Sequence, residues 1–498
     1  MADTGKTWLN TAGMATPSGV STVAGPASSR ANLVRTLLIG GAITLLGFLY
    51  LHFVPDEFMW EGLRVMAIGV VILASFYFPL GRPKPGFMIW FLMLTSDCIF
   101  FHEGDLSASA NAYQGSFPTA VYGEALSWVL CFAAVLLCTT RIPGYSRNLL
   151  KGQGRWITLF AFMCAASCIY SPRPTFSAVW AFKMVLIALL LQVCWYQMEG
   201  FQDMLTFLKF TFFGYAVVAF QPVIVSAMRG EMFDEEGRMS IIVNPDALSA
   251  DAATVFMLAL ILFSRVKNEG LRMSAIVFGV SGFAVMILAG GKAGIISGLA
   301  GGALYFLIRR GLGPTLGYLI GAAGAALLLI SFTPLGDYFT QYQSGGNAAT
   351  LSGRTLLWSA VIPAILTSPI LGHGYVASTF VYMELNAVGW AAPQLHNGFL
   401  ETLYNTGGIG FLLLLIVILL IPRDLFRVLR RTPTSDPVYR IAAGGIALYA
   451  VLLMNGLFNA TFGGRVRAPF ALLMAMVFVS GKLLKGTEES RGSQLAGN

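Results

Sequence analysis

The chain has 498 residues, 56% of them hydrophobic and only 11% charged, and its mean hydropathy is +0.71. A soluble domain carries about 25% charged residues, so the composition excludes a soluble protein with one anchor and points to an integral membrane protein. The net charge of +8 follows from the concentration of Lys and Arg in cytoplasmic loops, which leaves no ground for nucleic-acid binding.

Residues 1–32 are rich in Ala, Gly, Ser and Thr and contain no apolar run. They lack the basic start and apolar core of a signal peptide and read as a disordered cytoplasmic tail. A membrane domain is expected from 33 to 486, followed by a short cytoplasmic tail over 487–498. Apolar stretches long enough to span, ~20 residues each, centre near residues 45, 72, 94, 131, 163, 186, 214, 256, 281, 300, 324, 410, 450 and 476. That makes about fourteen spans by the same length rule. With the N-terminus inside, alternate loops hold Arg141, Arg147, Lys151 and Arg155, then Arg309 and Arg310, then Arg423, Arg427, Arg430 and Arg431. The opposite loops hold acids instead, among them Asp56, Glu57, Glu103, Asp105, Glu231 and Asp234. The expected fold is an all-α polytopic membrane protein with both termini cytoplasmic.

Within the spans, Asp97, Lys183 and Asp251 are costly in lipid and should face a cavity or a partner; Lys183 and Asp251 could pair across the bundle. The six cysteines, Cys98, Cys131, Cys138, Cys164, Cys168 and Cys194, fall inside spans without metal spacing and read as packing residues. Gly290, Gly294, Gly298 and Gly302 recur every fourth residue, a helix face that lets another backbone approach closely and fixes Lys292 in place. Gly313, Gly317 and Gly321 repeat the device.

One long outer loop, 334–397, interrupts the apolar pattern. It contains S-G-R-T-L-L-W (Ser352 to Trp358) and P-I-L-G-H-G-Y (Pro369 to Tyr375), and it ends in L-H-N-G-F-L-E-T-L-Y-N-T-G-G-I-G (Leu395 to Gly410). Leu356, Leu357, Ala360, Val361 and Ala364 form one face of an amphipathic helix lying at the membrane surface, with Arg354 in its first turn and Pro363 interrupting it. The Pro and Gly residues that follow make a turn. His396 then stands at the mouth of a helix re-entering the membrane.

Arg173, Arg229, Arg238, Lys292, Arg354, Arg465 and Arg467 lie on the outer side, where the positive-inside rule gives them no purpose. An outer cationic cluster suits a phosphorylated, membrane-borne ligand, because Arg grips phosphate oxygens bidentately and Lys acts as a point charge. The plainer alternative is solvated loop charge. All four histidines, His52, His102, His373 and His396, are expected outside. His52 and His102 read as interfacial and His373 as a turn residue, which leaves His396 as the candidate base. No His, Asp or Glu grouping has metal-ligand spacing and there is no nucleotide loop, so metal-free chemistry without a cofactor is expected.

At these motifs the chain resembles the O-antigen ligase and polysaccharide polymerase superfamily, over about Gly237 to Pro422. G-R-M-S-I-I-V-N-P-D-A-L-S-A-D (Gly237 to Asp251) is similar to the family's Arg-Gly-Asn segment. G-G-K-A-G stands where the family often has Ser-Arg-Gly, with Lys292 replacing the Arg. The resemblance implies a GT-C-like, inverting, metal-independent glycosyltransferase in the bacterial inner membrane with its site facing the periplasm. Its donor would be an undecaprenyl-diphosphate-linked oligosaccharide. Arg238, Lys292 and Arg354 would bind the diphosphate, and His396 would orient or deprotonate the acceptor. His373, Glu401, Lys183 and Asp251 are further candidates. The acceptor is either another glycan, as in a polymerase, or lipid A-core, as in a ligase; the extra spans and the N-terminal tail favour the polymerase. Flippase and chain-length regulator proteins are the implied partners. A lipid-linked glycan flippase or transporter also fits the span count, but the chain lacks the repeat symmetry of many transporters.

Overall fold

The computed structural model describes residues 84–99, 119–142, 145, 149–228, 232–233, 237–239, 244–263, 269–336, 354–380, 395–459 and 462–496. The expected tail, the spans near 45 and 72, His52, His102, Arg229, the Ser352–Gly353 dipeptide and the side chains of Asp97 and Cys98 lie outside what is described. Among the described residues the chain is helical, apart from one isolated bridge between Phe233 and Met239.

In chain order the helices are α1 Pro85–Ile99, α2 Thr119–Thr139, α3 Gly154–Ala166, α4 Pro174–Gln197, α5 Phe201–Met228, α6 Pro245–Phe263 and α7 Glu269–Leu288. They continue with α8 Lys292–Arg310, α9 Leu312–Ser331, α10 Arg354–Thr367, α11 Gly398–Arg431, α12 Pro437–Phe458 and α13 Ala468–Ala496. Eight of them, α4 to α7, α9 and α11 to α13, are long and apolar enough to cross a membrane. The expected spans near 94, 131 and 163 fall on α1, α2 and α3, whose described apolar stretches are shorter. The one near 300 falls on α8, which carries Lys292, Arg309 and Arg310 and is not among the eight.

The bundle centres on α6, whose inner residues Ala252, Ala253, Val255, Met257 and Leu258 are buried. Small residues allow its neighbours in. A Cβ on Gly294 would overlap Ser249 of α6, one on Gly298 would overlap Met286 of α7, and one on Gly301 would overlap Val451 of α12. The Ser249 hydroxyl reaches the carbonyls of Met286 (2.8 Å) and Gly291 (3.0 Å), which binds α6, α7 and the start of α8 together. The α9 glycines behave differently from expectation: a Cβ on Gly313, Gly317 or Gly321 would meet nothing within 4 Å. Equal spacing in sequence cannot say whether a neighbour stands opposite.

Helix α11 is broken. Gly407 has φ 62° and ψ −165°, a conformation essentially confined to glycine. Such a break frees backbone groups that hydrocarbon cannot satisfy. The Pro369–Gly374 turn satisfies them instead: Gly408 N–H donates to Pro369 O (2.8 Å), His373 N–H to Tyr404 O (2.8 Å) and Gly374 N–H to Asn405 O (2.9 Å). The fully buried Asn405 side chain accepts from Ser378 N–H (2.8 Å) and donates to Gly463 O (2.9 Å). The 369–378 segment and the 462–467 loop thus meet at one point of α11.

Helix α10 begins at Arg354 and buries Leu357, Val361 and Ile365 with Ala377, Leu395 and Tyr404. It therefore packs on α11 rather than lying alone at the surface. Pro363 does not interrupt it; the helix runs on to Thr367, losing only the bond that a proline nitrogen cannot make. Gly407→Ala should destabilise the protein by at least about 2 kcal/mol from backbone strain, with added overlap against the Ile370 carbonyl. Thermal unfolding in detergent checks this, and an unchanged midpoint would contradict the clasp.

Candidate active site

The turn that opens α11 carries His396, with Asn397 as the helix cap. The Asn397 side chain accepts from Phe399 N–H and Leu400 N–H, both at 3.0 Å, satisfying two of the donors a helix start leaves open. His396 takes φ 50°, in the left-handed region that non-glycine residues rarely adopt. The preceding Leu395 is held from both sides: its N–H donates to Glu401 Oε1 (2.9 Å), and its carbonyl accepts from Trp358 Nε1 of α10 (2.9 Å). The first and third loop motifs are thereby joined directly.

Arg354, the first residue of α10, pairs with Asp246 at 2.8 Å, and both side chains are largely buried. Asp246 lies in the first turn of α6, where Asn244 Oδ1 accepts its N–H at 2.8 Å. His396 belongs to the same electrostatic group. Burial, and then the Arg354 guanidinium, push its imidazole from the ordinary 6.5 down to about 4, while Asp246 pulls the other way. The ring is consequently neutral near pH 7 and able to accept a proton.

Lys292 opens α8 immediately beyond Gly291, and Gly291 packs against the backbone of Pro245 and Asp246. Arg238 lies against Gly290, where a Cβ would sit 3.2 Å from its Cγ, and Met239 N–H donates to Leu288 O at 2.8 Å. Arg354 is thus tied to the first turn of α6, while Lys292 opens the adjoining start of α8 and Arg238 lies against Gly290 before it. Asp246, which the sequence reading did not single out, is the partner of Arg354. An acid in a helix's first turn is a common stabilising feature, so no signal in the sequence marked this one as special.

The other candidates are placed elsewhere. The His373 ring stacks on Tyr404 at 4.3 Å and 10°, with Nε2 2.9 Å from Thr367 Oγ1, so it belongs to the clasp on α11. Lys183 is buried on α4 with its ammonium 4.7 Å from the Trp128 ring and 5.3 Å from that of Trp180. Asp251 is partly buried, more than a turn along α6 from Asp246. Arg465 lies 5.3 Å over the Trp180 ring and 5.5 Å over Phe176. Glu401 is 2% exposed, behind the His396 turn.

Two comparisons bear on this arrangement. Residues 277–415 match the family model described as O-Antigen ligase, a segment that contains Lys292, Arg354, His373, His396 and Glu401. The chain is also similar to the exopolysaccharide production protein ExoQ of Rhizobium meliloti (strain 1021), with 36% identity over 81 residues. That alignment covers 15% of this chain and 19% of the relative, so the chain spans well under two thirds of ExoQ. Through the segment that holds the His396 turn and Arg354, the chain is similar to the O-antigen ligase family, and both comparisons support a place in the O-antigen ligase/Wzy-type superfamily.

Proposed function

We propose that the chain is an inverting, metal-independent glycosyltransferase that polymerises undecaprenyl-diphosphate-linked repeat units at the periplasmic face of the inner membrane. The observation that carries this reading is the strained His396 turn in electrostatic reach of the Arg354–Asp246 pair, with Lys292 opening the adjoining α8 and Arg238 lying against Gly290. The acceptor hydroxyl attacks the anomeric carbon from the face opposite the diphosphate. The new C–O bond forms as the bond to the phosphate oxygen breaks, the diphosphate leaves with its lipid, and the hydroxyl proton passes to a His396 ring nitrogen.

Arg354, Lys292 and Arg238 stabilise the charge that grows on the leaving diphosphate. Burial, and then the Arg354 charge, keep His396 deprotonated before the donor arrives. A bound diphosphate offsets the Arg354 charge and makes the imidazole more basic at the step that needs a base. Asp246 occupies and orients the Arg354 fork until phosphate oxygens compete for it. The likeness to an exopolysaccharide production protein supports the polymerase. A ligase that transfers the glycan to lipid A-core is the second reading, supported by the description of the matched family. Flippase and chain-length regulator proteins are the partners either reading calls for.

Arg354→Lys should lose about 10- to 100-fold in kcat/KM, since a charge-assisted contact is worth about 1.5–3 kcal/mol and an ammonium lacks the bidentate fork. Steady-state assays in nanodiscs check this; wild-type rates would contradict the donor role. His396→Ala should lose about 10²- to 10⁴-fold, and His396→Asn, which cannot take a proton, should fail as well. The decisive mixture is purified lipid-linked repeat units with no other acceptor. Chain growth with wild type but not with His396→Ala supports a polymerase that uses His396. Growth with both removes His396 from the mechanism, and transfer only after lipid A-core is added supports the ligase.

A further inference from the structure

We infer that Glu401 is a positioning residue: its buried carboxylate, by binding the Leu395 N–H, holds His396 in the strained turn that sets the imidazole beside Arg354 and Asp246. This rests on the role proposed for His396 and deepens it. The starting observation is the backbone. A left-handed conformation costs a non-glycine residue about 1–3 kcal/mol, and it persists only where the surroundings over-determine it. His396, at φ 50°, is one of two such residues among those described.

The turn is over-determined by named groups. Leu395 is completely buried, and each of its backbone polar groups is held by a side chain, Glu401 Oε1 on the N–H and Trp358 Nε1 on the carbonyl. Asn397 fixes the other side of the turn as the α11 cap. Removing either contact on Leu395 leaves a buried backbone group unsatisfied, so the turn is expected to relax toward an unstrained φ.

The carboxylate's own setting is specific. Glu401 is 2% exposed, and its second oxygen, Oε2, makes no hydrogen bond. Burying a carboxylate is costly unless charge offsets it, and Arg467 and Arg465 in the 462–467 loop offset part of that cost. Gly464 faces Oε2 so closely that a Cβ there would overlap it. Two of the arginines that broke the positive-inside pattern thus act here as counter-charges to a buried acid. With Oε1 engaged and almost no surface, Glu401 is placed to hold His396 and not to share its proton chemistry.

The test uses the full-length enzyme in nanodiscs with an undecaprenyl-diphosphate-linked repeat unit. Glu401→Ala should lower kcat about 100-fold while KM for the donor moves less than about threefold, because the donor cations are untouched. Glu401→Gln, whose amide oxygen can still accept the Leu395 N–H, should recover activity to within about tenfold of wild type. Trp358→Phe frees the same residue from its other side, and combining it with Glu401→Ala should add little further loss. Gly464→Ala, which displaces the carboxylate without deleting it, should reproduce the kcat loss if Glu401→Ala fails to fold. The inference is overturned if Glu401→Gln is as inactive as Glu401→Ala, which would make Glu401 a proton-transfer group. It is also overturned if Glu401→Ala, or Gly464→Ala in its place, keeps full kcat. Activity surviving in His396→Ala is a separate result; it defeats the catalytic assignment rather than the clamp.

Discussion

A helix that breaks within an apolar span must find partners for its freed backbone groups, and in this protein that requirement organises the candidate-site end of the molecule. The break at Gly407 is filled by the Pro369–Gly374 turn. Because that turn leaves α10 directly, filling the break draws α10 down onto the first turns of α11. Trp358 can then reach Leu395, and Arg354, at the other end of α10, can reach Asp246. The glycines of the second motif are therefore backbone devices: a Cβ on Gly372 would collide with Asn405 and Gly407.

The second organising element is charge. Burial of the His396 ring disfavours its protonation, and the Arg354 guanidinium adds to that effect. Asp246 offsets part of this, and the remainder lowers the imidazole pKa to about 4. Depressing a histidine's pKa has a consequence for stability. The unfolded chain takes up a proton near pH 6.5 and the folded protein only near 4. The stabilisation is complete above about 6.5 and is lost as pH falls from there toward 4. The same arrangement that favours a neutral base makes the His396 turn acid-sensitive.

Much of this was legible from the chain alone, and the remainder was hidden for identifiable reasons. Apolar runs marked the helices from α4 onward, and the three loop motifs marked the segment that the family match covers. His373 and His396 each stand in a polar loop with a glycine within two residues; only the fold separates a ring stacked on Tyr404 from one in a strained turn in electrostatic reach of Arg354. Asp246 looked like an ordinary helix-start acid, since its importance comes from a residue more than a hundred positions later. The glycine stripes of α8 and α9 read alike, yet only the first has backbones packed against it. Pro363 read as a helix breaker because local propensity says nothing of the burial of Leu357, Val361 and Ile365 that carries the helix through it.

The central claim is that Arg354, Asp246 and His396 form one electrostatic unit that responds to a diphosphate. Nitrogen-15 NMR of histidine-labelled protein in nanodiscs, assigned by comparison with His396→Asn, measures it directly. Without ligand the His396 ring should titrate near pH 4, and saturating undecaprenyl diphosphate should raise that value, because the bound anion offsets the Arg354 charge. A His396 that titrates near 6.5 without ligand, or one whose pKa does not move when the diphosphate binds, would contradict the account.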